Sequence, residues 1–91
     1  MTILLSQKAS DQLAQLFEYL ENKYSPAVRR KFQKRLDRFI AAIKLLPHGF
    51  PLSEIFPGCR KCVVSPQTSL IYRIEKEVIE IVAVIDNRQD R

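Results

Sequence analysis

Residues 68–85 read Thr-Ser-Leu-Ile-Tyr-Arg-Ile-Glu-Lys-Glu-Val-Ile-Glu-Ile-Val-Ala-Val-Ile. The first eight alternate. Leu70, Tyr72 and Ile74 face one way; Ser69, Ile71, Arg73 and Glu75 face the other, as successive side chains of a strand must. Lys76-Glu77 supplies a tight turn. Val78 to Ile85 is then almost continuously apolar and β-branched, broken only by Glu80 and Ala83, the pattern of a strand buried over most of its length. Two adjacent strands joined by a short turn form an antiparallel pair. They need a third strand and a cover to be stable.

Upstream, Cys59 to Ser65 reads as that third strand, closed by Ser65-Pro66. Before it, His48 to Gly58 holds Gly49, Pro51, Pro57 and Gly58 and reads as a loop crossing the domain. The cover comes from earlier residues. Leu13, Leu16, Phe17, Leu20 and Tyr24 recur at helical steps, predicting a helix over about 7–23 with Ser6 as its cap. Ser25-Pro26 closes it and opens a second helix, because Pro is welcome at a first helical position. Val28, Phe32, Leu36, Phe39, Ile40, Ile43 and Leu46 line one face of that helix up to Pro47. Thr2 to Ser6 is too short for a helix and reads as a strand. The expected fold is one α+β domain over residues 1–91, β-α-α-β-β-β. A helical hairpin packs on one face of a four-stranded, mostly antiparallel sheet; the other face is left partly open.

The chain has 91 residues, 46% hydrophobic and 27% charged, a balance that excludes disorder. The longest apolar run, Ile81–Ile85, is five residues, against ~20 for a membrane-spanning helix. No basic stretch precedes the short apolar segment after Met1, and there are two Cys. A cytoplasmic protein with no membrane partner is expected.

The net charge of +5 is unevenly placed. Residues 23–61 hold ten Lys and Arg against two acids, while the segments on either side are slightly acidic. The second helix carries Arg29, Arg30, Lys31, Lys34, Arg35, Arg38 and Lys44 with one acid, Asp37. Arg29, Arg30, Lys34 and Arg38 are candidate contacts for a polyanion or an acidic partner. A second set, Arg60, Lys61, Arg73 and Arg88, lies on strands and strand ends. Gathered on one face, such groups would hold a phosphate and offset charge developing on it. For Arg73 the competing assignment is an ion pair with a cross-strand acid such as Glu80.

Other chemistry is poorly supplied. His48 is the one histidine and sits in a loop. Cys59 and Cys62 have C-x-x-C spacing, but on a strand residues three apart face opposite ways, so they read as small buried packing groups. A structural zinc needs four ligands, which this chain does not offer. No metal or other cofactor is expected.

The ordered set Arg60-Lys61-Cys62-Val63-Val64, Leu70-Ile71-Tyr72-Arg73-Ile74 and Ile79 through Ile85 followed by Asp86-Asn87-Arg88-Gln89-Asp90 resembles the C-terminal half of RelE/ParE-family toxins. The helical hairpin and the length agree. The resemblance implies a small cytosolic toxin of a type II toxin–antitoxin module, in a heteromeric complex with a cognate antitoxin that wraps and neutralises it. It implies one of two targets. ParE-like members poison DNA gyrase without being enzymes, and RelE-like members cut messenger RNA on the ribosome. In the ribonuclease branch, Arg60 and Lys61 match basic residues of the first C-terminal strand, and Arg88 matches the Arg after the last strand. Two departures weigh against that branch. Ser69 stands where ribonuclease members often have an Arg, and no Tyr or His follows the last strand. Tyr72 falls in the apolar stripe and reads as core. A ParE-like protein target is the expectation, with a RelE-like endoribonuclease as the alternative.

Overall fold

Each apolar stripe finds a partner in the computed structural model, which describes residues 1–87. The elements are β1 (Thr2–Leu5), α1 (Gln7–Lys23), α2 (Pro26–Leu45), β2 (Arg60–Val63), β3 (Thr68–Glu75) and β4 (Val78–Asp86). They form one four-stranded sheet in the order β1-β4-β3-β2. β3 runs antiparallel to β4, as the tight turn at 76–77 requires, and antiparallel to β2 across the short 64–67 connection. β1 is parallel to β4, pairing Ile3 with Ile79 and Leu5 with Ile81. The sheet is therefore mixed, antiparallel in two of its three pairings. No helix is long and apolar enough to cross a membrane among the described residues.

The helix starts follow local chemistry. The Ser6 hydroxyl oxygen accepts from the Ala9 N–H at 3.0 Å, capping α1, and its hydroxyl donates to the Val82 carbonyl at 2.9 Å. One side chain thus caps a helix and ties it to a central strand. Val82 is also where the ladder slips: Ile71 faces Ala83, but Tyr72 faces Ile81. The extra residue makes a β-bulge, and its carbonyl is the one Ser6 satisfies. Ser25 caps α2 by accepting from the Val28 N–H at 3.2 Å. Phe17 of α1 and Phe32 of α2 meet edge to face, centroids 6.2 Å apart, near the closed end of the antiparallel hairpin.

Leu13, Leu36 and Ile43 of the helices pack with Leu70, Tyr72, Ile79 and Ile81 of the sheet to make the main core. The far face is covered in part: Ser69 and Ile71 are fully buried, while Val63, Arg73 and Glu75 stay exposed. Cys59, Ile71 and Ala83 form a second small cluster with Phe56, Val82 and Ile85. The cause is the 46–59 loop, which brings Phe56 against that face. Ser53 accepts from the N–H groups of Ile55 and Phe56, and Gly58 adopts φ 75°, a left-handed conformation that disfavours any side chain. Cys62 belongs to the helix-side cluster and Cys59 to the other, so the two thiols lie on opposite faces, as strand geometry dictates.

Candidate functional site

Arg60 and Lys61 are neighbours on β2, so their side chains leave opposite faces of the sheet. Arg60 stands opposite Tyr72 on the helix side. Its Nη1 donates to the Phe50 carbonyl at 2.7 Å and to the His48 carbonyl at 3.3 Å. The Tyr72 hydroxyl donates to the Pro47 carbonyl at 2.6 Å, and its ring meets Phe50 edge to face at 6.3 Å. Arg60 and Tyr72 together clamp residues 47–50 to the sheet. Burial pushes the Tyr72 phenol upward, opposed by the Arg60 charge and assisted by Cys62. Burial pushes the Cys62 thiol up to about 11. Both groups are neutral at pH 7 and are engaged in packing and hydrogen bonding.

Lys61 stands opposite Ile71 on the far face, half-buried. Arg73 is on the same face and makes the cross-strand pair: Nη2 lies 2.9 Å from the Glu80 carboxylate and 3.8 Å from that of Glu75, and Nε donates to Glu80 at 3.0 Å. Arg88 lies outside the described residues. The three described strand cations, Arg60, Lys61 and Arg73, are therefore not gathered on one face. Arg60 faces the helices and grips loop carbonyls, Arg73 is held by two acids, and Lys61 alone shares a face with Arg73. Ser69 is buried on that far face, its hydroxyl donating to Asn87 Oδ1 at 2.6 Å. Asn87 in turn donates to the Ser65 and Pro66 carbonyls, closing the β2–β3 turn. Among the described residues no cluster of three His, Cys, Asp or Glu is placed to hold a metal ion.

The helix cations also divide. The Arg29 guanidinium lies 5.4 Å over the Phe17 ring, so Arg29 faces α1. Arg35 donates from Nε to the Val64 carbonyl and lies 5.7 Å from the Phe39 ring, which fastens α2 to the end of β2. Arg30, Lys34 and Arg38 remain on the outer surface, joined by Lys31, all exposed.

Between α1, the start of α2 and the ends of β3 and β4 lies a groove of about 570 Å³. Leu16, Leu20, Phe32 and Val84 give it an apolar floor, and Gln15, Tyr19, Tyr24 and Gln67 a polar and aromatic rim. Gln12 spans it, accepting from the Val84 N–H at 2.7 Å. Tyr19 and Tyr24 are exposed large side chains; the sequence pattern places Tyr24 in the apolar stripe of the first helix and does not single out Tyr19. Tyrosines at the margin of a helix's apolar stripe were the available signal.

Residues 3–91 match the family model described as the ParE toxin of the type II toxin–antitoxin system parDE. The chain belongs to the ParE toxin family. No curated protein sequence matches this ParE-family chain. Solved structures share its fold at low identity. A chain of the chromosomal ParDE system from P. aeruginosa superposes with a TM-score of 0.82 at 16% identity, covering 94% of this chain and 95% of that one. A YoeB/ParE toxin from Agrobacterium tumefaciens gives 0.67 at 14% identity, over 94% and 98%. The E. coli DinJ–YafQ complex gives 0.58 at 17% identity, over 96% and 93%.

Proposed function

We propose that this ParE-family toxin acts in the cytoplasm on a protein target of the DNA gyrase kind, does not cut messenger RNA, and is neutralised by a cognate antitoxin. The observation that carries the choice of target is the engagement of Arg60 and Arg73. Phosphodiester cleavage needs cations aimed at the developing phosphate charge and a group that moves protons. Here one guanidinium is taken by carbonyls and the other by Glu80 and Glu75, while the Tyr72 hydroxyl is taken by the Pro47 carbonyl. The match to a ParE family model supports the same choice.

The antitoxin proposal has a separate physical basis. The outer edge of β2 is already taken by its own loop, through the Leu52–Arg60 bridge and the Lys61 N–H on the Pro51 carbonyl. β1 ends the sheet on the other side, with Leu4 and Leu5 exposed. An open edge and an apolar groove are surfaces on which a partner segment gains by folding.

Inducible expression tests the target. Growth arrest with DNA breaks and filamentation, messages intact, is expected for the wild type and for a Lys61→Ala, Arg88→Ala variant. Messages cut on the ribosome by the wild type and spared by the variant would establish the endoribonuclease alternative instead.

A further inference from the structure

Six arginines fall within the described residues. Four have internal partners: Arg29 the Phe17 ring, Arg35 the Val64 carbonyl, Arg60 two loop carbonyls and Arg73 two carboxylates. Arg30 and Arg38 have none among the described residues. They lie two helical turns apart on the same outward face of α2, with Lys34 one turn from each and Lys31 beside them. Asp37 shares a shallow hollow with Lys31, Lys34 and Arg38 and is within ion-pair distance of none of the four cations. With a rise of ~1.5 Å per residue, Arg30, Lys34 and Arg38 stand at steps of ~6 Å along a straight rod.

The rest of that face narrows the kind of partner. Ala27 and Ala41 flank the cations and let the rod approach a surface closely. The stretch has no large apolar or aromatic side chain to act as the desolvated anchor of a protein interface. Nor has it an aromatic ring on which single-stranded bases would stack; Tyr19 and Tyr24 belong to the groove. A regular, sequence-independent line of negative charge meets the requirements of this face, and the phosphate backbone of a duplex supplies one. We propose that the outer face of α2, through Arg30, Lys31, Lys34 and Arg38, binds double-stranded DNA along its backbone, without sequence preference. The binding is weak, with Asp37 limiting its strength. This site is distinct from the groove and the β1 edge, and it does not depend on which target the toxin acts upon.

The test is fluorescence anisotropy with a labelled 20-base-pair DNA duplex and the full chain, titrated at 50 to 200 mM salt. About four phosphate contacts give a slope of log K against log salt near −3.6, so binding weakens ~150-fold across that range. Changing Arg30, Lys31, Lys34 and Arg38 together to Gln keeps good helix formers in place, and circular dichroism checks that the helix survives. This variant should bind about 100-fold more weakly at 50 mM and lose most of the slope. A second variant removes the same number of charges elsewhere, with Lys8, Lys23, Lys44 and Lys76 changed to Gln; it should keep the slope to within about one. Asp37→Asn should tighten binding. Equal weakening by the two quadruple variants would overturn the proposal. So would tighter binding to single-stranded RNA than to the duplex, or no binding at 50 mM.

Discussion

Replacing Tyr72 by Phe removes one oxygen and leaves the packing volume almost unchanged. In the wild type that hydroxyl donates to the Pro47 carbonyl at 2.6 Å, from a residue with no exposed surface. The ring keeps its contact with Phe50 and leaves no cavity. The cost is therefore that of the hydrogen bond and of the carbonyl left behind. A buried unsatisfied partner costs about 1–3 kcal/mol. Pro47 is half-buried, so water regains part of its carbonyl, and Arg60 still holds the His48 and Phe50 carbonyls. About 1.5 kcal/mol is the resulting figure, a fall in Tm of roughly 6–12 °C for a domain of this size. Differential scanning calorimetry of the isolated chain measures it. Growth arrest on induction should persist below the new Tm, because the hydroxyl is engaged by the Pro47 carbonyl and braces the loop. An unchanged Tm would refute the bracing role. An unchanged fold with arrest abolished would mean that the hydroxyl acts in catalysis.

Ser6→Ala loses both the α1 cap and the bond to the bulge carbonyl of Val82, and should cost about 1–2 kcal/mol, read as a lower urea midpoint; a loss under about 0.3 kcal/mol would contradict the double role. A double-mutant cycle on Arg73→Gln and Glu80→Gln should return a coupling of only about 0.2–1 kcal/mol, since the Arg73 side chain is half exposed. Either variant should leave growth arrest intact, and its loss with Arg73→Gln alone would favour the ribonuclease alternative. Cys62 has its ionisation raised from 9.0 to about 11 by burial. The unfolded chain loses that proton first, so the stability Cys62 contributes is full below pH 9 and declines as pH rises through about 11. Urea midpoints at pH 8 and pH 11 should therefore fall less for Cys62→Ala than for the wild type, and parallel falls would contradict this.

Much of the fold was legible because the decisive signals were periodic. The alternation at Leu70, Tyr72 and Ile74, the helical steps from Leu13 to Tyr24 and the two Ser caps each placed an element where the structure has it. What was not legible depended on aperiodic or long-range features. The bulge at Val82 lies in an unbroken apolar run with no Gly to mark it. The parallel entry of β1 depends on β4, more than 70 residues away in sequence. Phe56 covers the far face from a loop whose path no pattern predicts. The partners of the cations are hidden for a different reason. Strand alternation already separates Arg60 from Lys61, and the spacing of Arg29 to Phe32, Leu36 and Ile43 already turns it inward. What residue type alone does not carry is which cation a carbonyl, a ring or an acid will hold.

The target of the toxin is tested most directly with purified components. The full chain is mixed with DNA gyrase, ATP and relaxed plasmid, and in parallel with ribosomes translating a defined message. The expected result is loss of supercoiling and linear plasmid after protein digestion, with the message intact. A message cut on the ribosome while gyrase works unimpeded would contradict it.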